Sequence, residues 1–195
     1  CAAAVSHPSI NTNWVLSMDA DYLVSASFIQ ELTELEPNDG VDAYRASFVY
    51  CINGGPIGDS LYPPRIVLAL KEKLSFSMDG HAHRRSVPGQ IKNLQNKILH
   101  DDRKPQTDWQ ANQKLYAKQE AEKILSETSV EFPSSTWVRK YLGITPVIIS
   151  IYLAIFRGML FRGSNARIYI QQRVFFERLL QKALKSARRS KNKDI

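Results

Sequence analysis

The run WVLSMDADYL, residues 14–23, passes from five mostly apolar residues straight into two aspartates, Asp19 and Asp21, with one alanine between them. A short apolar run of this kind suits a buried strand, so the strand has to end in a carboxylate pair. Two carboxylates this close repel each other and lose hydration unless a cation or a hydrogen-bond donor compensates them. Two arrangements meet that demand. In one, the strand simply stops and the aspartates cap the helix that follows. In the other, the pair serves a hard divalent cation, Mg²⁺ or Mn²⁺, which takes one or two carboxylates and completes its shell with phosphate oxygens.

The segments that follow alternate between the two periodicities. SASFIQELTELEP puts Phe28, Ile29, Leu32 and Leu35 on one helical stripe, with Ser25 or Ser27 as N-cap and Pro37 as the stop. NDG turns the chain, and DAYRASFVYCI and RIVLAL are rich in β-branched and aromatic residues, which predicts strands. Between those two, NGGPIGDSLYPP is a loop dense in Gly and Pro that suits the rim of a site. A short strand is expected at KILH, ending in His100, and a helix over residues 107–126 with Trp109, Tyr116, Ala117, Ala121, Ile124 and Leu125 as packing positions. Strands separated by helices, followed by helix alone, predict an α/β body with an α-helical appendage. The boundary is expected near residue 130, giving regions 1–130 and 131–195.

Charge divides the chain in a similar way. Residues 1–138 carry 13 Lys and Arg against 17 Asp and Glu, whereas residues 139–195 carry 13 against 2, a net +11. A basic segment behind a mildly acidic body calls for a polyanionic neighbour. Within it, ITPVIISIYLAIF (residues 144–156) has no charged side chain and is flanked by Arg139, Lys140, Arg157 and Arg162. It falls short of the roughly 20 residues that span a bilayer. YIQQRVFFERLLQKALKSARRSKNK then forms an amphipathic basic helix. The pair is expected to lie in a membrane interface, with arginines on anionic headgroups. Nucleic acid is not the expected partner, because basic and aromatic residues are not interleaved as a stacking platform requires. Two cysteines, Cys1 and Cys51, provide neither a disulfide framework nor metal-ligand spacing, which suits a reducing compartment. The opening CAAAVSHPSINTNW has no basic n-region and no initiator methionine, as expected of a fragment.

Several stretches together resemble the family 2 glycosyltransferases of GT-A fold, nearest the lipopolysaccharide core glucosyltransferase subgroup. They are WVLSMDADYLVSASFIQEL, DGHAHRRSVPG and ILHDDRKPQTDWQANQKLYAKQEAEKIL, within a resemblance that runs over residues 14–177. It implies that residues 1–130 are the acceptor and metal-site half of a GT-A domain, and that a Rossmann-like nucleotide-binding half precedes them. It also implies transfer of a sugar, with inversion, from a nucleotide-diphosphate donor to a lipid-linked or lipopolysaccharide-type acceptor. The setting would be the cytoplasmic face of a bacterial inner membrane.

On the same resemblance, Asp21 is the inner-shell ligand of Mg²⁺ or Mn²⁺, Asp19 stands on the metal or the ribose, and His100 is a second ligand. The general base is less uniform. Counting back from Gly89, the family's usual glutamate falls on His83, a departure that leaves Asp79, His81 and His83 as candidates, with Asp101 and Asp102 as a downstream pair. A histidine suits the task because its unperturbed pKa lies near working pH. Arg103 and Lys104 suit diphosphate or acceptor phosphate as fork and point charge, and Trp109 offers an apolar face to a sugar ring. Two other functions use the same groups: a metal-dependent phosphohydrolase or nucleotidyltransferase, and a non-catalytic membrane-binding module.

Overall fold

Backbone pairing gathers the strand-forming segments into two small sheets and a separate hairpin. The computed structural model describes residues 11–36, 40–79, 82–126 and 134–191, in two compact units, Cys1–Arg103 and Lys104–Ile195. The first unit runs β1 (Trp14–Leu16), β2 (Tyr22–Leu23), α1 (Ala26–Glu34), β3 (Val41–Ala46), β4 (Phe48–Ile52), β5 (Gly55–Pro56), β6 (Arg65–Leu70), β7 (Ser75–Asp79), β8 (Ala82–Ser86), β9 (Gln90–Asn93) and β10 (Ile98–His100). One sheet has the order β1-β6-β3-β9, the other β2-β10-β4-β5, and β7 and β8 form a two-stranded sheet. The chain is therefore mixed α/β, as expected.

DAYRASFVYCI forms two strands in different sheets instead of one. The register slips between Tyr44 and Arg45. The carbonyl of Arg45 then accepts from the Leu94 amide at 2.9 Å and that of Ser47 from the Ile98 amide at 3.0 Å. These bonds lace β9 and β10 alongside β3 and β4, parallel in both sheets. Phe28, Tyr44, Val67, Leu94 and Ile98 are buried in one cluster between these elements, with Trp14, Met18, Leu32 and Leu35 packed against it. Ile29 is 51% exposed, so the apolar stripe of α1 is narrower than its spacing suggests. Ser25 caps that helix, its Oγ accepting from the Phe28 amide at 3.1 Å. The aspartates are thus not the cap. Pro37, the expected stop, and the Asn-Asp of the turn lie outside the described residues.

Two polar anchors hold the loops that lead to β10. Asp42 accepts from the Gln90 amide at 2.7 Å and from Lys73 Nζ at 2.5 Å. Its carboxylate fills the space beside Gly89, where an added Cβ would come within 1.9 Å of Asp42 Oδ2. Gly89 also has φ +113°, a conformation that side chains disfavour. Glu31 accepts from the Gln95 and Asn96 amides at 2.6 and 2.8 Å and from Asn96 Nδ2 at 2.9 Å. Burial raises the Glu31 pKa, but these three bonds outweigh it, and the carboxyl sits below its ordinary value.

The second unit comprises α2 (Gln106–Ser126), α3 (Ser134–Tyr141), α4 (Thr145–Ile151), a π-turn (Tyr152–Phe156), a 3₁₀ turn (Met159–Phe161) and α5 (Ser164–Lys191). Ala117, Ala121 and Ile124 of α2 meet Phe176, Leu180 and Leu184 of α5, the alanines allowing close approach. Two of the expected packing positions, Tyr116 and Leu125, lie at the edge of that cluster. The long helix thus belongs with the helical unit, and the division falls after Arg103 where residue 130 was expected. α5 is the core helix of this unit, because its apolar face is covered by α2. Its buried Glu177 takes Arg139 of α3 at 2.5 Å, and Gln181 Nε2 donates to the Arg139 carbonyl and to Thr145 Oγ1 at 3.0 and 3.1 Å.

Gly89→Ala is expected to destabilise the first unit by at least about 1–3 kcal/mol from backbone strain alone, measurable by urea denaturation; an unchanged midpoint would show that Asp42 relaxes freely. Glu31 contributes stability above the unfolded glutamate pKa of about 4.3, and loses it as pH falls through the lower folded value. Glu31→Gln should therefore lower the melting temperature at pH 7 and flatten its dependence on pH below about 5.

Candidate functional site

β2 and β10 pair antiparallel with Tyr22 opposite His100, and β10 pairs parallel with β4 so that Tyr50 also stands opposite His100. Asp21 immediately precedes Tyr22, and its carbonyl accepts from the Asp101 amide at 3.0 Å. This register brings together two side chains 79 residues apart: His100 Nε2 lies 3.2 Å from Asp21 Oδ2. Asp21 Oδ1 and His100 Nδ1 are buried without a hydrogen-bond partner among the described residues. An unsatisfied buried carboxylate oxygen is costly, and a cation is one group that would satisfy it.

Aromatic rings enclose the imidazole. Tyr22 and Tyr50 meet it edge-on, with centroids 5.5 and 5.0 Å away, and Tyr62 lies over it at 4.5 Å. Tyr62 comes from the Gly/Pro-rich loop, and its hydroxyl is 2.8 Å from that of Tyr22. Burial, then their hydrogen bond, then nearby negative charge push the Tyr22 hydroxyl well above the ordinary phenol range. Burial raises that of Tyr62 too, against the opposing bond from Tyr22. Both phenols therefore stay protonated over the whole physiological range. The Arg65 guanidinium lies 5.1 Å from the centre of the Tyr62 ring.

Asp19 has a different environment. Its Oδ1 accepts from Arg85 at 2.7 Å, and the same guanidinium donates through Nε to Ser17 Oγ at 3.0 Å. The Arg85 side chain is only 7% exposed. Arg85 is thus the protein's own counter-charge for the first aspartate, which also lies near enough to act on the Tyr22 hydroxyl. Among the described residues no three His, Cys, Asp or Glu side chains gather as a metal-binding group. The protein offers two donors, which fits Mg²⁺ or Mn²⁺ completed by phosphate and water but not a closed, all-protein site.

Downstream, Asp101 is buried and fully engaged, with Oδ1 accepting from the Gly54 amide at 3.2 Å and Oδ2 from Arg103 Nε at 2.6 Å. Asp101 thereby ties the Gly54 turn to the end of β10. It fixes Arg103, whose side chain is 70% exposed. Asp102 is half-buried beside it. Asp79 and His83 fall in β7 and β8, at neighbouring rungs of the hairpin that carries Arg85. His81 lies outside the described residues. Lys104 and Trp109 belong to the second unit, where the half-buried Trp109 packs on Phe175 with centroids 5.6 Å apart.

Tyr22, Tyr50, Tyr62 and Arg85 were not singled out from the sequence. Alternation within each strand could have placed Tyr22 and Tyr50, but only the register puts both beside His100. Comparisons with family models, with curated proteins and with solved structures found no match to this chain.

The paired hydroxyls give a direct test of the shell. A double-mutant cycle of Tyr22→Phe and Tyr62→Phe should return a coupling of about 0.5–1.5 kcal/mol; strict additivity would mean that the two do not bond.

Proposed function

We propose that this chain is the metal-site and acceptor half of a GT-A glycosyltransferase. It would transfer a sugar, with inversion, from a nucleotide-diphosphate donor to a lipid-linked or lipopolysaccharide-type acceptor at the cytoplasmic face of a bacterial inner membrane. The observation that carries the reading is the Asp21–His100 pair, 3.2 Å apart with one carboxylate oxygen left unsatisfied. A strand-end carboxylate and a histidine on the adjoining strand are the donor set that the resemblance implies for the cation.

Asp21 and His100 would hold Mg²⁺ or Mn²⁺, which supplies, when bound, neutralisation of the charge that gathers on a departing diphosphate. The remaining roles belong to the chain's own side chains. The tyrosine shell fixes the imidazole and keeps water from its faces. Asp101 orients Arg103 through Nε, and the guanidinium fork suits phosphate oxygens. Arg85 neutralises Asp19, so Asp21 keeps its charge for the cation without a second bare carboxylate beside it. The base that takes the acceptor hydroxyl's proton is assigned to the β7–β8 hairpin, with Asp79, His81 and His83 as its candidates. Arg85 ties that hairpin to the strand end through Ser17 and Asp19.

Asp21→Ala and His100→Ala should each weaken Mn²⁺ binding by at least about 10-fold, given that even outer-shell losses cost 10–100-fold. Asp19→Asn should leave most of it in place, because that carboxylate is occupied by Arg85. Electron paramagnetic resonance titration of free Mn²⁺ measures all four proteins. A wild-type chain that takes up no Mn²⁺ in the presence of a nucleoside diphosphate would sink the reading. Release of free phosphate without sugar transfer would move it to a phosphohydrolase.

A further inference from the structure

Of the nineteen large hydrophobic side chains exposed among the described residues, twelve fall within residues 137–161. Chance placement does not concentrate them so, and an exposed apolar patch of this extent marks an interaction surface. We propose that the turn-rich stretch over residues 144–161, and not the long basic helix α5, is a docking surface for an anionic lipid bilayer. The proposal rests on the glycosyltransferase reading only for the nature of the acceptor; the surface is argued from its own geometry.

The stretch is built from the inside outward. Thr145, Leu153 and Met159 are buried and tie it to the helical unit. Between these anchors α4 passes into the π-turn, whose wider spacing re-aims the side chains that follow. Val147, Ile155, Phe156 and Phe161 are left 60, 68, 76 and 88% exposed. Phe156 and Phe161 stand on either side of Gly158, which has φ +62° and open space where a Cβ would be. The two aromatic rings are thus carried on a tight reversal and not on the flank of a continuous helix.

Charge selects the occupant. Each exposed phenylalanine is followed at once by an arginine, Arg157 and Arg162. No Asp or Glu occurs between Glu131 and Glu177, while Arg139, Lys140, Arg157, Arg162, Arg167 and Arg173 do. Glu177 is itself 1% exposed and paired with Arg139. An apolar stretch whose own sequence segment carries basic and no acidic side chains matches acyl chains beneath anionic headgroups. A second copy of the chain would bring the same positive charge against it, which opposes self-association. The ridge lies on the surface and does not cross: α4 and the π-turn together have 12 residues, about 18 Å of helix against a hydrocarbon core of about 30 Å. No helix among the described residues is long and apolar enough to span a membrane.

Flotation of the full chain with vesicles of phosphatidylcholine alone, and of phosphatidylcholine with one-third phosphatidylglycerol, tests this. At low salt the chain should float with the anionic vesicles. Phe156→Ser with Phe161→Ser, both on the surface and so compatible with folding, should cut the partition roughly 10-fold or more. Arg157→Gln with Arg162→Gln should lose about 5-fold per residue on anionic vesicles only. High salt should remove that electrostatic part and leave the apolar part. A chain that stays soluble with anionic vesicles at low salt overturns the proposal. So does a soluble dimer that Phe156→Ser with Phe161→Ser converts to monomer, which would make a second copy the occupant. Either failure leaves Mn²⁺ binding at Asp21 and His100 unaffected, so the fate of the two readings can be told apart.

Discussion

The backbone of Ile98–His100 is paired on both sides, with β2 running against it and β4 running alongside. In a strand the side chains alternate between faces, so a slip of one residue would turn His100 away from Tyr22, Tyr50 and Asp21 together. The register of so short a strand cannot come from its own three residues. It is set upstream: Glu31 grips the amides of Gln95 and Asn96, and the carbonyls of Arg45 and Ser47 take the amides of Leu94 and Ile98. The candidate site therefore depends on hydrogen bonds made several residues away from it, by groups that take no part in its chemistry.

Three aspartates near the strand end show how far environment separates identical side chains. Asp19 faces a buried guanidinium, Asp101 is engaged through both oxygens, and Asp21 keeps one buried oxygen unsatisfied. The repulsion that a D-x-D pair entails is relieved here by Arg85 on the first carboxylate. Asp21 meets His100 through Oδ2 and keeps Oδ1 buried without a hydrogen-bond partner among the described residues. The same arginine ties the β7–β8 hairpin to this end of the sheet through Ser17 and Asp19.

The helical unit uses its charges in two ways. Arg139 and Glu177 form a buried pair, further satisfied by Arg173 Nη2 at 3.8 Å, and Gln181 bonds the Arg139 carbonyl, so these groups orient α3 against α5. A buried pair of this kind contributes more to geometry than to net stability. Arg157 bonds locally instead, its Nη1 donating to the Tyr152 hydroxyl at 3.2 Å beside the exposed stretch. Apolar residues divide in the same fashion: Leu180 and Leu184 fill the seam with α2, whereas Ile155, Phe156 and Phe161 remain on the surface.

Local pattern determined a good deal. The Ser25 cap, the strand ending at His100, the long helix near residues 107–126 and the basic bias of the last third all follow from spacing, propensity and charge within short windows, and the structure contains each of them. The apolar run before D-A-D, by contrast, pairs only as Trp14–Leu16, none of it buried, and stops short of Asp19. Tertiary structure decided what no window holds. It broke DAYRASFVYCI at Ser47 because a segment fifty residues on pairs with both halves. It gave the long helix to the second unit because the partner of Ala117 and Ala121 is Phe176 and Leu180. It separated the two apolar stretches of the tail, which the sequence treats alike, packing α5 against α2 and leaving exposed most of the large apolar side chains of residues 144–161. It also joined Asp21 to His100 and Asp19 to Arg85, which no spacing could foretell. Sequence periodicity tells which face of an element is apolar; which other element covers that face, and which charge meets which, depends on long-range register and packing.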